Sequence, residues 1–262
     1  MATAHTSEVV RDLRRAALLD SAMSMTDGQL LECFMTRRDE AAFEALVRRH
    51  GPMVLNVCRR TVGNLQDAED AFQAVFLILA RKAASVVPRE GVGNWLYGVA
   101  YRTARRAKAA SSRHYAREKQ VKDMPHPVIE QPHGSGDVEL VLDEELNKLP
   151  AKYRLAVVLC ELEGRTRKEV ARQLRLPEGT LSSRLATARR MLARRLMRRG
   201  IALSAGAMAV ALSRGAAAAC LPKTLIFSTM QAVSALTTAS TLAGVVSAPV
   251  AALAEGVLKS MM

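Results

Sequence analysis

The segment Arg167-Lys-Glu-Val-Ala-Arg-Gln-Leu-Arg-Leu-Pro-Glu-Gly-Thr-Leu-Ser-Ser-Arg-Leu-Ala-Thr-Ala-Arg-Arg190 decides how the second half of the chain folds. Its pattern predicts a short helix over 167–174, a tight turn over 175–179 and a long helix over 180–199. The inner face of the long helix is apolar, with Leu181, Leu185, Ala188 and Leu192 at helical spacing. A short helix, a tight turn and a basic helix together form a helix-turn-helix pattern.

The opposite side of this long helix carries small polar residues and arginines. Small side chains let a helix enter the major groove of DNA, and arginines beside them reach phosphates or guanine edges. An ordinary basic surface helix is the alternative interpretation. The candidate DNA contacts are Thr180, Ser182, Ser183, Arg184, Thr187 and Arg190.

The charge of the chain points to a polyanionic partner. The net charge is +13 over 262 residues, and the isoelectric point is about 10.2. Residues 150–200 include fourteen basic side chains and only four acidic ones. A soluble protein with its positive charge in one block usually binds nucleic acid or an anionic membrane surface.

The composition favours helices and indicates no chemical site. Aromatic residues make up only 4% of the chain, and Cys33, Cys58, Cys160 and Cys220 are scattered without a CxxC pair. The sequence contains no metal-binding spacing, no nucleophile elbow and no phosphate-binding glycine loop. We therefore expect no metal, no cofactor and no enzymatic activity, and we expect buried thiols in a reducing cytoplasm.

The first half of the chain is also helical. Apolar residues recur at helical spacing up to His50, Gly51-Pro52 predicts an interruption, and a helix is predicted over 65–83. The inner face of that helix contains Ala68, Phe72 and Phe76. Its first turns carry polar residues, which suit the helix dipole or form a binding stripe: Asp67, Glu69, Asp70 and Gln73.

A Gly- and Pro-containing loop over 85–94 precedes a helix predicted over 95–114. Aromatic residues beside arginines can stack the bases of single-stranded DNA while the charges hold its backbone. A core position is the alternative for Trp95, which begins an apolar face. The candidate contacts in this part of the chain are Arg89, Asn94, Trp95, Tyr97, Tyr101, Arg102 and Arg105.

Composition divides the chain into five sections: 1–25, 26–116, 117–137, 138–199 and 200–262. We expect an all-α protein with an N-terminal leader, two helical domains, a flexible Pro- and Gly-containing linker and an Ala-rich C-terminal helical extension. The extension has no charged residue from Thr224 to Ala254, which is long enough for a membrane span. Its modest hydrophobicity favours helices that fold back on the domains or bind a partner.

Three motifs in order resemble the extracytoplasmic-function (ECF) subgroup of the sigma-70 family. Asp67-Ala-Glu-Asp-Ala-Phe-Gln-Ala-Val-Phe76 resembles the DAEDxxQxxF core, and Trp95-Leu-Tyr-Gly-Val-Ala-Tyr-Arg102 resembles WLxxIARN. The helix-turn-helix segment, with Leu149-Pro150 before it, resembles YEEIAxxLGIPxGTVKSRLxRAR. Three positions depart from the family pattern: Arg102 replaces an Asn, Arg106 an acid and Arg175 a Gly.

The resemblance implies a transcription initiation factor that acts with core RNA polymerase and promoter DNA. Residues 26–116 resemble sigma domain 2, which binds the polymerase clamp helices and melts the −10 element. The resemblance implies that the clamp helices are bound through Asp67, Glu69, Asp70 and Gln73. It implies that the −10 element is contacted by the candidate residues of the 85–94 loop and of the helix after it. Residues 138–199 resemble sigma domain 4, which contacts the polymerase flap and recognises the −35 element with the candidates of the long helix.

The implied location is the cytoplasm, at the nucleoid. An anti-sigma factor and membrane contact through the extension stay open. The alternative function is a stand-alone helix-turn-helix regulator, which explains the second half of the chain but not the acidic stripe.

Overall fold

The computed structural model describes residues 17–121, 136–218, 221–238 and 246–261. These residues form an all-α protein, which confirms the predicted fold class. Most of the leader, most of the linker (122–135) and Cys220 lie outside the described residues.

The N-terminal unit contains a helical segment over residues 17–23 and the longer helices α1 (Asp27–Arg37), α2 (Glu40–Val62), α3 (Leu65–Lys82) and α4 (Val92–Val121). The side chains of Thr26, Asp39 and Asn64 cap the first amides of α1, α2 and α3. The core holds an aromatic cluster, in which the ring centres of Phe34 and Phe43 lie 4.5 Å apart and those of Phe72 and Phe76 lie 4.9 Å apart.

Two helices of this unit differ from their predicted bounds. Helix α2 continues through Pro52, so the predicted interruption at Gly51-Pro52 is wrong. Met53, Val54 and Leu55 are buried after the proline, and this packing holds the helix together where one backbone hydrogen bond is missing. Helix α4 begins at Val92, directly after a 3₁₀ turn, and it reaches into the predicted linker.

The helix-turn-helix unit contains α5 (Gly136–Asn147), α6 (Ala151–Val157), α7 (Arg167–Gln173) and α8 (Glu178–Arg198). Helix α6 continues into a π-helical turn, Val158–Leu162. Leu181, Leu185, Ala188 and Leu192 of α8 are all buried, so the predicted inner face is confirmed.

The C-terminal helices are α9 (Ala205–Ala218), α10 (Lys223–Thr238) and α11 (Ala248–Ser260). Helix α9 packs on the π-helical turn and α2, α10 packs on α2 and α3, and α11 packs on α3 and α4. The extension therefore folds back onto both units. Within the described ranges, no helix is long and apolar enough to cross a membrane.

The two units also pack directly against each other, because α2 contacts α5, and α4 contacts α5, α6 and the π-helical turn. Arg60 of α2 donates two hydrogen bonds of 2.9 Å to the Asp143 carboxylate of α5. The Tyr97 hydroxyl of α4 donates to the Asp143 carbonyl oxygen at 3.0 Å. This buried polar cluster fixes α5 on the N-terminal unit.

Candidate nucleic-acid and polymerase interfaces

The recognition face comprises the six candidate residues of α8, and it is open to solvent. Thr180, Ser183 and Arg190 are exposed. Ser182, Arg184 and Thr187 are half-buried. Helix α8 begins after Pro177, which provides no side-chain cap, so the positive end of the helix dipole lies beside Thr180. An anionic ligand such as a DNA phosphate suits this end of the helix.

A concave surface of about 360 Å³ adjoins the recognition face. It includes two residues of α6 that sequence analysis did not single out, Lys152 and Tyr153, with the Lys152 ammonium 5.0 Å from the Tyr153 ring centre. The available signal was a lysine next to an aromatic residue at a helix start. The lining residues are Lys152, Tyr153, Gly179, Thr180, Ser183, Arg184 and Thr187.

Several basic side chains further along α8 and just after it form ion pairs with acidic residues of the same protein. Arg189 pairs with Glu161, and Arg199 lies 2.9 Å from both Glu144 and Glu145. These pairs lie toward the C-terminal part of α8 and just after it, away from Thr180 and Ser183. The positive charge at the recognition face is therefore separate from the charge that holds α8 on the unit.

The acidic stripe, Asp67, Glu69, Asp70 and Gln73, lies on the first three turns of α3, and all four residues are half-buried. Asn64 fixes its first member, because the Asn64 side chain accepts a 2.8 Å hydrogen bond from the Asp67 amide and donates one to the Asp67 carboxylate. Burial raises the pKa of Asp70, and the charges of Asp67 and Glu69 raise it further. The stripe is thus a compact patch of negative charge on a basic protein.

The C-terminal helices border the acidic stripe. The Gln73 amide donates a 2.9 Å hydrogen bond to the Ser228 hydroxyl of α10. Asp67 and Asp70 line a groove of about 540 Å³ between α3, α4 and α11. Sequence analysis placed these residues on one helix, but it did not predict that the extension would lie against them.

Arg89 in the loop and Asn94 in the first turn of α4 contact other parts of the chain. Arg89 pairs with Glu32 of α1. The Asn94 side-chain oxygen accepts a 2.8 Å hydrogen bond from Arg154 of α6. Val87 in this loop is 84% exposed. The loop thus offers an exposed apolar residue, whereas Asn94 is held by the helix-turn-helix unit.

The aromatic candidates of α4 are more buried than the arginines beside them. Tyr97 is completely buried, Tyr101 is 7% exposed and Trp95 is half-buried. Arg102 and Arg105 are exposed, and the Arg105 guanidinium lies 5.8 Å from the Tyr101 ring centre. Burial raises the pKa of Tyr97 well above its usual range, and the Asp143 carboxylate adds to the effect.

A buried ionic cluster joins the two units beside the 85–94 loop, and sequence analysis missed it. His50 Nδ1 lies 2.7 Å from Glu163 Oε1, and Arg49 donates a 2.6 Å hydrogen bond to Asp27. Gly93 of α4 allows the close approach, because a Cβ there would lie 2.7 Å from Glu163 Oε1.

The charges in this cluster stabilise one another. Burial alone would lower the pKa of His50, but Glu163 and Asp27 outweigh it and raise that pKa to about 9. Burial raises the pKa of Asp27, but His50, Arg165 and Arg49 together hold it well below its usual range. The imidazole is therefore positively charged at neutral pH and ties the two units together.

Comparisons with known proteins identify two sigma regions in this chain. The family profile "Sigma-70 region 2" matches residues 46–114, and "Sigma-70, region 4" matches residues 139–192. The ECF RNA polymerase sigma factor SigM of Mycobacterium tuberculosis is 31% identical over 175 residues, which cover 65% of this chain and 85% of that protein. The RNA polymerase sigma-H factor of Pseudomonas aeruginosa is 28% identical over 174 residues, covering 62% and 90%.

A solved structure of the sigma factor RpoE in complex with the anti-sigma factor NepR, from Bartonella quintana, is also similar to this chain. Its identity is 22%, it covers 59% of this chain and 96% of the RpoE chain, and the TM-score is 0.27.

Both sigma regions occur here in the family order, and a relative above 30% identity aligns over most of its length. The chain belongs to the ECF sigma factors of the sigma-70 family. As an RNA polymerase sigma factor, it acts with core RNA polymerase and promoter DNA in transcription initiation, which replaces the alternative of a stand-alone regulator. Helices α9, α10 and α11 begin after residue 192, where the second profile match ends.

Proposed function

We propose that residues 26–116 are sigma domain 2 and residues 138–199 are sigma domain 4, as the two profile matches within these ranges support. Domain 2 binds the clamp helices of core RNA polymerase through the acidic stripe. Three neighbouring carboxylates and an amide on one helix suit a partner helix that presents basic side chains.

Domain 4 contacts the polymerase flap and recognises the −35 element through the recognition face. The observation that carries this proposal is the open N-terminal half of α8, where exposed Ser183 and Thr180 flank the half-buried Arg184. Small side chains permit close approach to base edges, while Arg184 and Arg190 reach phosphates or guanines. The nearby Lys152 adds a further positive charge on the same side.

Domain 2 contacts the −10 element through the 85–94 loop and α4. Arg102 and Arg105 are exposed and suit the backbone of the separated strand, and the loop is the place where a flipped base is held. Asn94 and Tyr97 are bonded to Arg154 and Asp143 of the helix-turn-helix unit. Their roles at the −10 element therefore require the two units to separate first.

The chain performs no chemistry of its own in this proposal, since the polymerase supplies the catalytic centre. The work of the sigma factor is positioning and strand separation, and its place of action is the bacterial cytoplasm at the nucleoid, where the DNA template lies.

Run-off transcription tests the proposal, with fragmented genomic DNA, purified core polymerase and the full-length protein. We expect discrete transcripts that fall at least tenfold when Asp70→Ala and Gln73→Ala are combined. Asp20→Ala removes an exposed carboxylate outside the proposed binding surfaces instead and serves as the control. Circular dichroism verifies that each variant is folded. Absence of transcripts, or transcripts that survive the double substitution, would contradict the proposal.

A further inference from the structure

Helix α3 is buried on two opposite sides. Its inner side packs on the aromatic core through residues such as Phe72 and Phe76. On a 3.6-residue helix, Ala74, Leu77 and Ile78 lie on the opposite side, together with Asp67 and Asp70 of the acidic stripe. These three apolar residues are nevertheless 0% exposed. A second layer of the protein therefore covers the outer side of α3.

The covering layer is made by α10 and α11, which pack on α3. Both helices bury apolar side chains, and the most buried among them are Val233 of α10 at 1% exposure and Val250 and Ala254 of α11 at 0%. Without this layer, Ala74, Leu77 and Ile78 would form an exposed apolar patch, and such patches on soluble proteins mark interaction surfaces.

Polar contacts fix the register of the layer on the acidic stripe. Gln73 of the stripe donates to Ser228 of α10 at 2.9 Å. Arg106 of α4 donates to the Gly256 carbonyl oxygen of α11 at 3.3 Å. A Cβ at Gly256 would lie 2.3 Å from the Arg106 guanidinium, so the glycine allows α11 to approach α4 closely.

We propose that α10 and α11 form a cis-acting cover on α3 and that core RNA polymerase must displace this cover to bind the acidic stripe. The inference rests on the proposed role of the stripe. A polymerase helix and α10–α11 would need the same space beside Gln73 and above Leu77, so only one of them occupies α3 at a time. Displacement exchanges one apolar contact of α3 for another, which keeps its outer side buried in both states.

Helix α9 places the cover within reach of both units. Its buried residues Met208 and Leu212 belong to a helix that packs on the π-helical turn of the helix-turn-helix unit. The C-terminal helices therefore span from that unit to α3. A cover attached in this way stays at high local concentration after it leaves α3, and it can return when the polymerase dissociates.

The first test uses the full-length chain with the cover loosened. Val233→Asp and Ala254→Asp combined place two charges in the buried faces of α10 and α11. Gln231→Asp and Ala248→Asp combined add the same charges at exposed positions of the same helices and serve as the control. We expect the loosened variant to bind core polymerase at least tenfold more tightly than the parent, and we expect the control to match the parent.

The second test needs no substitution. Amide hydrogen exchange of α10 and α11 is measured in the parent chain with and without core polymerase. We expect exchange in both helices to rise on binding, because the cover leaves α3. Unchanged protection in the complex, or equal polymerase affinity of parent and loosened variant, would overturn the proposal.

A third experiment distinguishes failure of the proposed cover from failure of the proposed role of the acidic stripe. Asp70→Ala and Gln73→Ala are added to the loosened variant, and polymerase binding is measured again. Loss of binding together with equal affinities of parent and loosened variant would retain the stripe and reject the cover. Tight binding that survives the stripe substitutions would reject the stripe itself.

Discussion

The recognition face of α8 and the outer side of α3 are the two binding surfaces proposed for this sigma factor, yet their surroundings differ. Thr180, Ser183 and Arg190 of α8 are exposed, and the positive end of the helix dipole lies beside them. Ala74 and Leu77 of α3 are buried under the C-terminal helices. The proposed DNA-binding surface is thus open to solvent, while the proposed polymerase-binding surface is covered by the C-terminal helices.

This difference follows from the chemistry of the two surfaces. Polar and charged side chains on α8 stay hydrated without a partner, so an open face costs little free energy. The outer side of α3 combines carboxylates with apolar residues, and its apolar part favours burial. Substitutions on the covered side should therefore change stability, whereas substitutions on the open side should change DNA affinity alone.

The largest expected effect is a pH dependence of stability at the interface between the two units. His50 faces Asp27, Arg49, Glu163 and Arg165, and its pKa is raised to about 9 from 6.5. A raised pKa contributes stability that is fully present below the unfolded value and is lost as pH rises through the folded value. We expect the free energy of unfolding to fall by about 2 kcal/mol between roughly pH 6.5 and pH 8.5.

Urea denaturation at a series of pH values between these limits measures the effect. A His50→Gln variant is the control, since it has no titrating group at this position and should show a much flatter profile. The thiol pKa values of Cys58 and Cys160 are raised by burial to about 12 and about 11, so both thiols stay protonated in this range. An equally steep profile in the variant would show that another group is responsible.

The next-largest expected effect concerns the recognition face of α8. Arg184→Ala should weaken promoter binding by the holoenzyme about tenfold and lower the salt-dependence slope by about 1, because one phosphate contact is lost. The free energy of unfolding should stay within about 0.5 kcal/mol of the parent, since Arg184 is partly exposed and lies outside the core. Promoter affinity is measured over a range of salt concentrations.

Arg198→Ala is the matched control for this experiment. It removes the same charge from the exposed C-terminal end of α8, far along the helix from Thr180. The control should leave promoter affinity and its salt slope nearly unchanged. If both variants lower the slope equally, Arg184 acts through the general charge of the helix and has no contact of its own.

The sequence predicts local structure in this protein better than it predicts long-range contacts. Leu181, Leu185 and Leu192 repeat at helical spacing, which shows that one side of α8 is buried. The same periodicity cannot name a partner, and His50 and Glu163 are 113 residues apart in the chain. Nothing local at either position indicates that they meet.

The sequence contains a pattern that indicates burial of the outer side of α3. Ala74, Leu77 and Ile78 make α3 apolar on its outer side as well, and a helix that is apolar all round is buried all round. The nearly uncharged stretch of the extension supplied the matching surface. Which helices of the two units the extension packs on could not be predicted, because both units have helices on their surface and the deciding contacts form only in the folded chain.

The smallest expected effect lies in the turn before α8, at one of the positions that depart from the family pattern. Arg175 has a φ of 52°, in the left-handed region that favours glycine. Arg175→Gly should raise the free energy of unfolding by up to about 1 kcal/mol, because relief of the Cβ strain exceeds the added entropy of the unfolded chain.

Arg172→Gly, on the exposed side of α7, is the control and should lower the free energy of unfolding by about 1 kcal/mol, since glycine disfavours a helix interior. Opposite signs in urea denaturation would show that the backbone of the turn, and not the loss of an arginine, determines the result. Since the turn sets the angle between α7 and α8, a stabilised Arg175→Gly variant with unchanged promoter affinity would also show that the open face does not depend on strain in the turn.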